Sequence, residues 1–325
     1  MNFTAVAKRV LEECVALKPK ERALIIADSR SESNLVQAMT TMAEWMGAHV
    51  ITTIVPWKKP LPHGYLSWEE PSERLWRLVA GSDVVIDYRS ELVALTQAIR
   101  NSDRSRLRIL YMNGNMDYQR PLILEEDLQG MSKLGKSITD AVKEATEIRV
   151  TSKLGTDVMA ELIQPITVTY DDSQATEPGT EDYFPGGMWS TAAKDGTMNG
   201  VTVFDASLYP TGILRDPVTV TWENGKIREI NGGPQAQQWQ HWLDSFNEPE
   251  IYSHSHMGGG LSKTAVTTGH DWEDLITYGA ALFSGGNNIY HGGKQGGQSH
   301  FDAILLNATI YLDNEIICKD GKYLI

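Results

Sequence analysis

The chain has 325 residues, of which 41% are hydrophobic and 22% charged, and its formal net charge is −13. That composition belongs to a globular protein with room for two domains, and the acidity argues against nucleic acid and anionic lipid as partners, since both call for basic clusters. No apolar run is long enough for a membrane-spanning helix, and the first nine residues carry charges inside their apolar pattern, as expected of a helix in the mature protein rather than a signal peptide.

The first expected element is an amphipathic helix over 4–17, with Thr4 as N-cap and Val6, Val10, Cys14 and Leu17 on one face. Lys18-Pro19 ends it. Residues 22–27 (RALIIA) read as a buried strand. Residues 31–46 read as a helix striped by Leu35, Met39, Met42, Ala43 and Met46 and stopped by Gly47. A strand at 50–55, a proline-rich loop at 56–71, a helix at 73–80, a strand at 83–88, a helix at 92–100 and a strand at 108–112 follow. Strands alternating with helices imply parallel crossovers and a sheet covered on both faces. Residues 1–115 are therefore expected to form a small N-terminal α/β domain. No G-x-G-x-x-G or G-x-x-x-x-G-K-[ST] follows any of its strands, so the domain reads as structural rather than nucleotide-binding.

Residues 116–146 are expected to be a helical connector, with helices at 122–129 and 137–145. Beyond it the pattern changes to short β-type runs at 147–151, 166–170, 200–204, 218–222 and 226–230, the last two joined by a tight turn at Asn224-Gly225. With helices at 235–246 and 272–281, residues 147–325 are expected to form a β-rich α+β domain. The whole is α/β in class.

Five of the eight histidines, His254, His256, His270, His291 and His300, fall in the last quarter of the chain, interleaved with the glycine pairs at 258–260, 285–286, 292–293 and 296–297. His49, His63 and His241 are expected to do nothing specific. His300-Phe301-Asp302 opens an apolar strand-like run, and strand periodicity aims His300 and Asp302 at one side. With a histidine from the 254–256 segment they make two imidazoles and a carboxylate, the minimum for an open divalent-metal site. His270-Asp271 is a further histidine–carboxylate pair, read as structural or as support for the site. No serine lies in a G-x-S-x-G turn. The only cysteines, Cys14 and Cys318, are too few for a disulfide framework or a Cys-x-x-Cys site, and point to a reducing, cytoplasmic compartment.

Several segments in order resemble the aminopeptidase T-type metallopeptidases: 151–157 (TSKLGTD), 184–187 (FPGG), 200–205 (GVTVFD), 223–227 (ENGKI) with Gly232-Gly233, and His300-Phe301-Asp302. Within that superfamily the chain is more similar to the 2,5-dihydroxypyridine 5,6-dioxygenase family, through 177–179 (EPG), 249–252 (PEIY), 255–261 (SHMGGGL), 282–288 (LFSGGNN), Gly292-Gly293-Lys294 and 300–304 (HFDAI). Where the peptidases carry a glutamate and a histidine for a second metal, this chain has Met188 and Leu282, and neither side chain binds a hard divalent ion. The resemblance selects His256 over His254 and implies Fe(II) held by His256, His300 and Asp302. It further implies Tyr183 and Ser284 as catalytic groups and Asp171, Ser284 and Lys294 as substrate contacts. A first-domain histidine of the dioxygenases has no counterpart in 88–93 (YRSELV), which leaves Arg89, Glu91 and Tyr183 as candidates for the acid–base group. The function implied is an Fe(II)-dependent, extradiol-type ring-cleaving dioxygenase acting on a small hydroxylated aromatic such as a dihydroxypyridine, with O2, in a homo-oligomer. The alternative is a metal-dependent aminopeptidase or amidase of the aminopeptidase T type.

Overall fold

Apolar runs alternating with helices give a parallel sheet only if helices cover both its faces. A computed structural model of the chain, which describes residues 2–57, 72–89, 105–112, 116–118, 120–297 and 299–325, has this arrangement in its first part. The described helices are α1 (Phe3–Lys8), α2 (Ser33–Trp45), α3 (Glu73–Ala80), α4 (Pro121–Leu124), α5 (Leu128–Glu144), α6 (Pro234–Ser245) and α7 (Asp271–Ile276). The strands begin with β1 (Arg22–Asp28), β2 (His49–Val55), β3 (Val84–Tyr88), β4 (Arg108–Met112), β5 (Glu147–Thr151), β6 (Asp157–Glu161) and β7 (Val168–Tyr170). They continue with β8 (Glu181–Phe184), β9 (Met188–Thr191), β10 (Asn199–Phe204), β11 (Ser207–Leu208), β12 (Gly212–Ile213) and β13 (Val218–Glu223). The last are β14 (Lys226–Asn231), β15 (His254–Gly260), β16 (Ala281–Gly286), β17 (His300–Leu305), β18 (Thr309–Leu312), β19 (Glu315–Lys319) and β20 (Lys322–Tyr323). The expected helix at 92–100, and all but the first two residues of the expected loop at 56–71, lie outside the described residues.

Two compact units result, and they are not contiguous in sequence. Among the described residues the first holds 2–57, 72–128 and 171–186, and the second holds 129–170 and 187–325. The expected boundary at 115 therefore moves to 128, the connector divides between the units, and 171–186 leave the β-rich region for the first unit. Pairing is the reason: β8 lies parallel to β4, Ile109 opposite Glu181 through Met112 opposite Phe184, as the last strand of a sheet ordered β2-β1-β3-β4-β8. β3 and β4 are buried throughout, as a sheet covered on both faces requires. Leu24, Ile26, Val85, Ile109 and Tyr111 of this sheet pack on Leu75 and Val79 of α3. At roughly 1.5–3 kcal/mol per fully buried large apolar side chain, this cluster is a main stabiliser of the unit. The first helix also departs from expectation: its N-cap is Asn2, whose side chain accepts from Ala5 N at 3.1 Å, and a π-helical turn at Arg9–Cys14 follows α1.

The second unit contains two largely antiparallel sheets, ordered β14-β13-β10-β6-β5-β18-β19-β20 and β12-β11-β17-β16-β15-β9-β7. Asn224 (φ 52°) and Gly225 (φ 75°) turn β13 into β14, as the Asn-Gly pair predicts. The helix expected over 272–281 stops at Ile276, and Ala281 already begins β16. In the second sheet Phe301 faces α6, where Trp239 meets its ring edge-on at 5.0 Å. Phe301 lies over Gly285, where a Cβ would come within 2.2 Å of its ring. Alternation along β17 therefore turns Phe301 to one face and His300 and Asp302 to the other.

Candidate metal centre

Three adjacent strands build the site. β16 lies between β15 and β17, with Ser284 directly opposite Asp302 and Gly286 opposite His300. Directly opposed residues of an antiparallel pair share a face, so His300, Asp302 and Ser284 project together. His256 joins them from β15. Its Nε2 lies 3.3 Å from His300 Nε2 and 3.7 Å from Asp302 Oδ1, and His300 Nε2 lies 3.6 Å from that same oxygen. The two rings are nearly parallel, 14° apart. One ligand atom from each of His256, His300 and Asp302 falls within 4.8 Å of the others, the one such group among the described residues.

The electrostatics suit a cation. Burial acts to raise the Asp302 carboxyl, but His300, His256 and the Ser284 hydroxyl outweigh it and hold the group well below the ordinary carboxylate range. It is a buried anion. Burial, then His291, push His256 down against the pull of Asp302, so its imidazole stays neutral with a lone pair to give. His254 and His291, held near 3 and 4 by burial and by neighbouring imidazoles, add no competing positive charge. Two imidazoles and one carboxylate aimed at a common point from one face fit a divalent transition metal with open positions opposite.

Ser284 acts on this set directly. Its side chain is buried, its hydroxyl donates to Asp302 Oδ1, and its Oγ lies 3.5 Å from His256 Nδ1. On the same face, Leu282 opposes Ile304 and both are buried. The peptidase-like histidine position is thus an apolar wall beside the triad.

The histidines of the last quarter sort by position. His291 stacks on His256 with ring centroids 4.2 Å apart. It is presented by a tight loop in which Asn288 Oδ1 accepts from Gln295 N at 2.8 Å and Gly292 adopts a left-handed φ of 83°. Sequence placed His291 only in a general cluster, because the loop that returns it to β15 leaves no periodic signal. His254, which the resemblance passes over in favour of His256, is buried against Trp222 with ring centroids 6.0 Å apart and neither ring nitrogen hydrogen-bonded. A register irregularity between His254 and Met257 breaks the two-residue alternation. Lys294 lines a cavity of about 570 Å³ together with Lys194, Lys226, Glu250, His254 and Gln295. His241 is exposed on α6.

Asp171 and Tyr183 belong to the first unit. Asp171 Oδ2 is buried without a hydrogen bond, and burial together with Asp172 and Glu181 raises its carboxyl to about 7. Tyr183 packs on Tyr111 with centroids 5.1 Å apart. Arg89 is committed to Asp87 through bonds of 2.7 and 2.9 Å, and Glu91 lies outside the described residues.

The fold is shared with solved chains. The structure of 2,5-dihydroxypyridine dioxygenase from Pseudomonas putida KT2440 matches with a TM-score of 0.82 at 24% identity, covering 99% of this chain and 96% of that one. Wild-type AmpT from Thermus thermophilus matches with a TM-score of 0.67 at 11% identity, covering 100% and 99%. At such identities the likeness is one of fold. The family is shown by sequence: the family model described as NicX, 2,5-dihydroxypyridine 5,6-dioxygenase, matches residues 2–325, and the chain belongs to that family. The curated 2,5-dihydroxypyridine 5,6-dioxygenase of Pseudomonas putida is 35% identical over 192 residues, a stretch that spans 55% of each chain.

Proposed function

We propose that the chain is an Fe(II)-dependent, extradiol-type dioxygenase that opens the ring of a small hydroxylated aromatic, a dihydroxypyridine in the first instance, with His256, His300 and Asp302 as the iron ligands. The observation that carries this reading is the convergence of those three side chains in a member of this family. Iron, when bound, supplies the coupling between an electron-rich ring and O2 that makes an otherwise spin-forbidden reaction accessible.

The chain's own groups do the rest. Asp302 offers the negative charge and the imidazoles offer neutral nitrogen, so a ring hydroxyl that loses its proton meets no excess of negative charge. Ser284 fixes the Asp302 carboxylate. Leu282 and Ile304 keep water from that side of the triad and orient a flat substrate against an apolar wall. Asp171, Tyr183 and Lys294 keep, within this proposal, the roles of substrate contact and proton donor that the family resemblance implies. A homo-oligomer in a reducing, cytoplasmic compartment completes the reading.

The test is anaerobic reconstitution with Fe(II), followed by an oxygen-electrode assay with 2,5-dihydroxypyridine while the ring's ultraviolet band is followed. One O2 consumed per ring lost is the expected result. Amide or peptide hydrolysis with no oxygen uptake, by the zinc-, cobalt- or manganese-loaded protein, would favour the aminopeptidase alternative and refute this one.

A further inference from the structure

A metal-ligating imidazole keeps its aim only if its ring plane is held, and a carboxylate or carbonyl bonded to its second nitrogen ordinarily does this. His256 is held differently. Among the described residues the contact at its Nδ1 is the Ser284 hydroxyl at 3.5 Å, and that hydroxyl already donates to Asp302 Oδ1. A contact of that length is too weak to fix a ring by itself. What lies closest to the ring is another ring. The His291 imidazole stands with its centroid 4.2 Å from that of His256 and its plane 32° away, nearer than His300 at 5.2 Å.

His291 is buried, and the loop that carries it hangs from the two residues just before His256. Ser255 Oγ donates to Asn287 O at 2.6 Å, and Gln295 Nε2 donates to His254 O at 2.7 Å. Between these anchors the loop closes on itself. Asn288 N donates to Gln295 O, and Asn288 O accepts from His291 N and from Gly293 N, each at 3.0 Å. Asn288 is buried, and Gly293 lies so near that a Cβ there would come within 2.1 Å of its side chain. The position of the His291 ring is therefore set by bonds to the same strand that presents His256.

Resting on the assignment of His256, His300 and Asp302 as metal ligands, we infer that His291 is a positioning residue of the metal centre, whose ring holds the plane of the His256 imidazole and so the direction of its Nε2. Rotation of the His256 ring drives its edge into the His291 face, which keeps Nε2 converged with His300 Nε2 and Asp302 Oδ1. The contact is between ring faces. It survives replacement of His291 by another flat ring and is lost with a side chain that has none.

The probe is Co(II) alone, added anaerobically to the metal-free chain. Its visible d–d bands record the arrangement of the ligands, and the titration gives the affinity. His291→Ala is expected to shift those bands and to weaken binding by about 2–10-fold, and His291→Phe to keep both as in wild type. Gln295→Ala, which cuts one anchor of the loop without touching a ring, should shift the bands in the same direction as His291→Ala. Circular dichroism and Tm report folding, and if His291→Phe does not fold, the spectra of the two alanine variants decide. A side chain that only fills space would lower the Tm of His291→Ala and leave the bands where they are, which overturns the inference. So does a folded His291→Phe that behaves as His291→Ala, because the nitrogens of His291 and not its face would then matter. None of these readouts uses turnover. A wild type that shows the bands but consumes no O2 with 2,5-dihydroxypyridine refutes the dioxygenase reading and leaves the role of His291 standing. A wild type that binds no Co(II) overturns the ligand set and this role with it.

Discussion

Ser284→Ala separates a hydroxyl that orients metal ligands from one that serves only the substrate. In the structure the Ser284 side chain has no solvent exposure, donates to Asp302 Oδ1, and stands 3.5 Å from His256 Nδ1. Alanine removes one oxygen and leaves a gap too small for a replacing water. The carboxylate loses a hydrogen bond to a charged acceptor, a class that contributes about 1.5–3 kcal/mol. If that loss appears wholly in metal binding, a tenfold change per 1.4 kcal/mol makes it roughly 10–150-fold, in line with the ~10–100-fold found when a group supporting a ligand is removed. The assay is anaerobic titration of Fe(II) against a chromophoric chelator, with near-ultraviolet circular dichroism as the folding control. At saturating Fe(II) much of the activity should return. A dissociation constant within threefold of wild type would refute the reasoning, because the hydroxyl would then not be holding Asp302 in place.

Replacing His256, His300 or Asp302 by alanine should each reduce bound metal below a tenth of wild type by elemental analysis, whereas His254→Ala should leave it unchanged, since that ring packs on Trp222. Metal removal should lower the Tm: a ligand present at 100 times its Kd stabilises by about 2.7 kcal/mol, and a Tm indifferent to chelation would deny that the folded triad binds metal. Asp171→Asn should change the pH dependence of stability. The Asp171 carboxyl sits at about 7 in the folded chain against an ordinary 3.8. Its favourable contribution is therefore full below about 4 and is lost as pH rises through 7, while asparagine keeps the neutral form throughout. The Tm advantage of the variant should grow between pH 4 and 7 and then level off. The ceiling is roughly 4 kcal/mol at about 1.4 per tenfold, reduced in practice because the buried Asp172 and Asp182 share the effect. A difference that is flat with pH would place that carboxyl in water.

The sequence made the first sheet legible where burial on both faces writes itself as an unbroken apolar run, as in Val84–Tyr88 and Arg108–Met112. It hid β8, because Glu-Asp-Tyr-Phe is short and half charged, and its partner β4 lies some seventy residues earlier. No local pattern announces a pairing of that range. The overlong helix at 272–281 has a different cause. Leu275, Ile276, Ala280, Ala281 and Leu282 are apolar in a spacing that suits a buried helix or a buried strand equally, and the break comes from Gly279, at φ 73°, where a Cβ would lie 1.8 Å from Gly321 O. The Asn2 cap was missed because Thr4 is as good a capping residue by type, and the choice between them depends on where the first turn packs.

The site itself was legible in proportion to its strand content. His300 and Asp302 share a face because they are two residues apart on β17, and that follows from periodicity alone. The choice of His256 over His254 does not, since both are two residues apart on β15 and only the register irregularity before Met257 separates them. The open geometry follows from the same pairing. All three ligands, and the serine that holds one of them, rise from one face of three adjacent strands, so protein atoms fill one side of any bound ion and leave the other to substrate and oxygen. Leu282 opposite Ile304 continues that face in apolar residues. A second metal there would need donors in those places, and the buried pair supplies none. Leu282, at the position where the resemblance to the peptidases implies a histidine, thus leaves this face with donors for one metal, as the proposed reading requires.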